Sequence, residues 1–162
     1  MSKFRYAIPM LLIMVLLSAC ATISPSERFD RLIPPKAESL RTSWTPIPAG
    51  FDVSKLVGDW FGVNTKYGSW VALSFKVKGR EISLVEGCKD SVNGEILVNP
   101  PISINKEGAI EWLSLKGLRI TASVQRDGSL LYIFYNQHDI EPPKTPLERV
   151  EKATAATTTT SK

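Results

Sequence analysis

The stretch Ser69-Trp70-Val71-Ala72-Leu73-Ser74-Phe75-Lys76-Val77-Lys78 decides the fold class. Val71, Leu73, Phe75 and Val77 alternate with Trp70, Ala72, Ser74, Lys76 and Lys78, a period of two that gives a strand one oily face. Lys78-Gly79-Arg80 then forms a tight turn, and Glu81 to Cys88 follows with Ile82 and Leu84 on one face.

The same pattern repeats outward from this hairpin. Val57 to Thr65 precedes it as a first strand. Val92-Asn93-Gly94-Glu95 carries Asn-Gly, a strong hairpin signal, before the short strand Ile96-Leu97-Val98. Ala109 to Leu115 and Leu118 to Arg126 flank the Lys116-Gly117 turn. In the second of these, Leu118, Ile120, Ala122 and Val124 alternate with polar residues. Asp127-Gly128 turns into Ser129 to Gln137. Pro142, Pro143 and Pro146 break the chain before a last short strand at Leu147 to Val150. Roughly eight short strands with almost no helix predict an all-β antiparallel up-and-down meander, closed as a small barrel or packed as a sandwich. Closure removes exposed edges and favours the barrel. Its predicted inward-facing residues are Val71, Leu73, Phe75, Ile82, Leu84, Leu118, Ile120 and Val124, the candidates for contact with a ligand held inside.

Residues 1–19 read as an export signal. Lys3 and Arg5 form its positive start, and Ala7 to Leu17 is an apolar run interrupted only by Pro9. That run is shorter than the ~20 residues a membrane-spanning helix needs, but it suits a signal core. It ends in Leu17-Ser18-Ala19-Cys20, which resembles the lipobox of bacterial lipoproteins. The resemblance implies cleavage before Cys20, a diacylglyceryl thioether on its thiol, and acylation of the new amino terminus. Ala21, in place of the Asp that favours inner-membrane retention in well-studied lipoproteins, implies an outer-membrane address facing the periplasm.

Residues 20–50 carry Pro25, Pro34, Pro35, Pro46 and Pro48 and read as a lipidated, proline-rich tether. Within it, Ser26 to Ile33 is expected to form one or two helical turns that dock on the domain. Residues 51–152 are the barrel. Residues 153–162, ATAATTTTSK, have nothing to bury and are expected to be disordered.

The barrel opens with Phe51-Asp52-Val53-Ser54-Lys55-Leu56-Val57-Gly58-Asp59-Trp60-Phe61. This resembles the lead-in and Gly-x-Trp motif of lipocalins and their calycin relatives. In that family the Trp sits at the closed base of the barrel beneath an Arg from its far end. The resemblance therefore makes Gly58, Trp60 and Arg149 the structural base, with Arg126 as the other candidate partner. The chain is shorter than the long lipocalins and carries no Thr-Asp-Tyr motif.

Hydrophobic residues make up 43% and charged residues 22%, an ordinary globular composition. The net charge is +4. Lys3 and Arg5 leave with the signal, so the mature chain is only weakly basic, and no nucleic-acid partner is expected. No cofactor or metal is expected, because His138 is the single histidine. Asp139 adjoins it, but neighbours on a strand face opposite ways. Glu81, Glu86, Asp90 and Glu95 read as a solvated face. Cys88, with Cys20 lipidated, has no partner for an internal disulfide and reads as a small strand residue.

Nothing here assembles a catalytic site. The expected function is a non-enzymatic, membrane-anchored barrel that binds a small apolar ligand such as a lipid. The alternative is an envelope protein-interaction module with a filled barrel. Its motivation is Leu130 to Tyr135, apolar on both faces, whose outer side requires cover from a second layer, from Phe29 to Ile33, or from a partner protein.

Overall fold

The computed structural model describes residues 23–90 and 94–151. The signal segment, Cys20, Asn93 and the tail from 153 lie outside these residues. The chain forms an antiparallel, nearly closed β-barrel of ten strands. They are β1 (Thr45–Pro46), β2 (Gly58–Asn64), β3 (Ser69–Lys78), β4 (Glu81–Asp90), β5 (Gly94–Val98), β6 (Ser103–Ile104), β7 (Ile110–Leu113), β8 (Arg119–Val124), β9 (Leu130–Phe134) and β10 (Lys144–Arg149). Their order is β1-β4-β3-β2-β10-β9-β8-β7-β6, with β5 also pairing β4.

The strong pair is the one the alternation predicts. Across β3 and β4, Val71 faces Cys88, Leu73 faces Glu86, Phe75 faces Leu84 and Val77 faces Ile82. Gly79 supplies the positive φ of +62° in the turn between them. The two strands beyond the expected eight, β1 and β6, have two residues each, too few to show a period. They lie at the two ends of the sheet path, and Thr45 Oγ1 of β1 donates to the Ile102 carbonyl at 3.0 Å just before β6.

The last strand starts earlier than Leu147 and contains Pro146. Lys144 to Leu147 pair with β9, whereas pairing with β2 is confined to Glu148–Phe61 and Arg149–Trp60. Proline has no N–H for a ladder, which accounts for the short β10–β2 seam. Gly62 permits the close approach there, since a Cβ at this position would lie 2.5 Å from the Pro146 carbonyl oxygen.

The main core lies inside the barrel, with Leu56, Trp60, Leu73, Phe75, Ile82, Leu84, Ile110, Ile120, Leu130 and Leu147 among its buried residues. A second core lies outside it, under the segment expected to be a tether. Helix α1 (Pro25–Leu32) begins at Pro25 and is capped by Ser24, whose Oγ accepts from the Glu27 N–H at 3.2 Å; the cap is thus two residues earlier than Ser26. Its Phe29 and Leu32, with Ile33 and Ala37, pack on Phe61, Ala72, Val85 and Val150. Gly87 lets the helix approach, because a Cβ there would lie 2.9 Å from the Leu32 carbonyl oxygen.

A 3₁₀ turn at Pro35–Leu40 follows. The nearly buried Arg41 then donates to the carbonyls of Ser74 and Ser83 at 3.0 and 3.3 Å and to Ser74 Oγ at 2.6 Å. Pro25 and Pro35 start helical turns and Pro46 lies in β1, so residues 25–46 pack as part of the fold.

Helix α1 covers β2 to β5 and leaves the outer face of β9 to other neighbours. There Leu131, Ile133 and Tyr135 are half-buried, with the Arg119 guanidinium 4.8 Å from the Tyr135 ring centre.

Phe29 is 1% exposed, and deleting a buried phenylalanine side chain costs ~3–5 kcal/mol. Phe29→Ala is therefore expected to lower stability by about that amount in denaturant titration. A loss below about 1 kcal/mol would show α1 to be loosely held.

Candidate functional site

The Gly-x-Trp segment stands at the start of β2, at one end of the barrel. Trp60 is fully buried, and its Nε1 donates to the Leu56 carbonyl at 2.8 Å. The Arg149 guanidinium lies 4.4 Å from the indole ring centre and donates to the carbonyls of Val57 and Lys55 at 2.5 and 2.9 Å. Gly58 has φ +132°, and a Cβ there would strike the Arg149 guanidinium. Glycine is thus required twice over, by the backbone and by the contact. Arg126 lies in the turn between β8 and β9.

Of the eight inward-facing candidates, Val71, Leu73, Phe75, Ile82, Leu84 and Ile120 belong to the inner core. Leu73, Phe75, Ile82 and Leu84 expose 0% of their surface, so no water-sized space touches them. Val124 is half-buried against the same core, and Leu118 is half-buried just before β8.

Toward the other end the interior becomes polar. Glu86 continues the inward phase of Ile82 and Leu84 along β4 and is 5% exposed. Trp112 Nε1 of β7 donates to one carboxyl oxygen at 2.8 Å, and Tyr132 O–H of β9 donates to the other at 3.0 Å. The two rings are 6.0 Å apart. Burial pushes the Glu86 carboxyl above the usual range, against the lowering effect of these two donors. No lysine, arginine or histidine of the described residues forms an ion pair with it.

Burial, with Glu86 and Asp90 nearby, pushes the Cys88 thiol up to about 12, so it is no thiolate nucleophile at neutral pH. Thr145 faces Tyr132 across β10 and β9; it is 1% exposed, and its Oγ1 has no hydrogen-bond partner. Val98 faces Glu86 across β4 and β5, and Ile96, Val98, Leu118 and Phe134 are half-buried.

Loops at this end are tied together. Asp139 accepts from Lys66 Nζ at 2.6 Å and from Tyr67 O–H, and the Lys66 bond leads the causes that hold its carboxyl below the usual range. His138 is exposed in the same β9–β10 loop, within a turn closed by the Asp139 N–H to the Asn136 carbonyl, not on a strand.

Among the four carboxylates of the expected solvated face, Glu81 is exposed and Glu95 pairs with Lys89 at 2.8 Å, but Glu86 is a buried interior acid. Its signal was its phase, four residues from Ile82 and two from Leu84. Trp112 and Tyr132 carried no comparable signal, because their meeting depends on closure. Among the described residues, no group of His, Cys, Asp and Glu side chains is arranged to hold a metal. A separate open groove of about 570 Å³ lies outside the barrel, between α1 and the β2–β10 seam; Arg28, Glu148 and Glu151 give its edge mixed charge.

These features define an antiparallel, nearly closed barrel compatible with a calycin-like fold. No protein-family model, curated protein or solved structure matches the chain.

The raised carboxyl has a definite sign. The folded state holds the Glu86 proton more tightly than the unfolded state does, so this stabilising contribution is present at low pH and is lost as pH rises through the folded value. Glu86→Gln keeps an acceptor for Trp112 and an N–H for Tyr132 without charge. The stability of wild type relative to this variant is expected to fall in thermal unfolding as pH rises above the ordinary glutamate value of 4.5. A constant difference above that value would contradict the assignment.

Proposed function

We propose that the protein is a non-enzymatic bacterial lipoprotein, anchored through Cys20 to the outer membrane and facing the periplasm. Its barrel binds a small, largely apolar molecule of lipid type at the open end. One observation carries this reading: the barrel interior is largely apolar but also holds a buried acid and an unpartnered hydroxyl. Binding sites characteristically combine apolar lining with a few placed polar groups. The ligand then rests above Leu73, Phe75, Ile82 and Leu84, not among them, because these side chains already occupy the lower barrel.

The anchor rests on the Lys3 to Cys20 signal. Two or three acyl chains hold firmly, since each buried CH₂ adds ~0.8 kcal/mol.

A second reading, a filled barrel that contacts an envelope protein, draws on Leu113, Leu115 and Ile140, which are 60%, 74% and 103% exposed.

Native mass spectrometry of the purified protein distinguishes the two. An added species of small-molecule mass, lost on organic extraction, is expected for the ligand carrier. Bare protein mass would favour the second reading. For the anchor, Cys20→Ala is expected to abolish acylation, and a variant still carrying lipid would refute attachment at this residue.

A further inference from the structure

We propose that the end of the barrel opposite Gly58-x-Trp60 docks on the lipid surface that carries the anchor, with Tyr67, Leu113, Leu115 and Ile140 inserted among the lipids. This rests on the anchor at Cys20 and names the face that the barrel turns to the membrane.

Strand register puts three turns at this end: β2–β3, β7–β8 and β9–β10. Lys66 of the first reaches Asp139 of the third at 2.6 Å. Tyr135, where the third begins, donates its N–H to the Arg119 carbonyl at 2.9 Å, beside the second. Leu113 and Leu115 stand at the second turn and Ile140 in the third. Among the described residues these are the most exposed large hydrophobics, and Val63 and Tyr67 at the first turn are exposed too. In the same group only Leu40 and Val77 lie away from this end. The turns at the opposite end carry charge instead, in Lys78-Gly79-Arg80-Glu81, Lys106-Glu107 and Arg126-Asp127.

Clustered exposed apolar side chains mark a protein or a membrane contact. Two features favour lipid. The side chains stand on three separate turns, without the compact, complementary patch of a protein interface, and fluid acyl chains close round single side chains where a rigid partner cannot. Backbone N–H groups at the tips are bonded within their own turns, as contact with hydrocarbon demands. Asn64 Oδ1 accepts from the Lys66 and Tyr67 N–H groups, and Ser114 Oγ accepts from those of Lys116 and Leu118. Cations and acids pair here, Lys66 with Asp139 and Arg119 with Glu111, so the contact needs no anionic lipid. The anchor reaches this end, because Pro25 shares a groove with Gly62 and Val63. From Val63 the chain rises at most about 14 Å to Tyr67, and the link from Cys20 to Pro25 spans up to about 18 Å.

The test uses the acylated full chain in phosphatidylcholine vesicles, with an environment-sensitive fluorophore on Leu115→Cys, on Ile140→Cys or, at the opposite end, on Arg126→Cys. The wild-type chain serves as the labelling blank for Cys88. Labels at 115 and 140 are expected to shift their emission to the blue and to lose most of it to a quencher carried on the lipid acyl chains. The label at 126 is expected to do neither. A label on Tyr67→Cys is expected to be quenched as well, and to lose that quenching when Leu115→Asp and Ile140→Asp are added. Labels at 115 and 140 that keep the emission of water in a chain whose mass includes the lipid overturn the docking face, leave the anchor standing and assign these tips to a protein partner. Equal quenching at 126, or quenching at 67 that survives the two aspartates, also overturns it. A chain whose mass carries no lipid defeats the anchor reading, and the inference falls with it.

Discussion

The Arg149 guanidinium on the Trp60 indole joins the two halves of the barrel where the backbone alone joins them weakly. β2 to β4 form one wall and β6 to β10 the other, and only Glu148 and Arg149 of β10 pair with β2. Pro146 removes a donor from that seam. Arg149 compensates with side-chain bonds to Val57 and Lys55 and with its place over the ring. A lysine keeps the charge but has neither the planar fork nor the stacking face, so the site asks for arginine. Gly58 follows from the same constraint, since any side chain there meets the guanidinium.

The barrel interior also buries a polar group, Glu86. Burying a carboxyl is unfavourable unless its oxygens are bonded. Glu86 meets that condition by reaching across the interior, so that one residue of β4 binds side chains of β7 and β9. This tie runs from β4, whose edge is covered by β1 and β5, to the strands near the other end of the sheet path. Glu86 therefore helps hold the walls together, and its protonation bears on stability.

Much of this was legible in the sequence and some was not, for identifiable reasons. β3, β4 and β8 alternate cleanly, and the glycines at 79, 117 and 128 adopt the positive φ their turns require. The Gly58-x-Trp60 segment marked the start of the barrel, and Arg149 was one of two candidates for the position over Trp60. Two-residue strands such as β1 and β6 are invisible to any period. The proline-rich segment reads as a tether with one docked helical piece, because proline breaks regular structure, but Pro25 and Pro35 also begin helical turns. Arg41 gave no local sign of its role, since its partners at Ser74 and Ser83 are set by tertiary packing. Glu86 lay in plain phase with Ile82 and Leu84, but charge was weighed above phase.

The docked helix changes what an anchor at Cys20 would do. A tether of some thirty flexible residues would let the barrel roam far from the membrane. With α1 packed on β2 to β5 from Phe29 onward, the helix begins at Pro25, five residues after Cys20. An extended chain covers ~3.3–3.6 Å per residue, so that link spans under about 20 Å. On the proposed reading, the start of α1 stays near the headgroups, and the barrel works at the membrane surface. A ligand with one polar group and an apolar body concentrates at that surface.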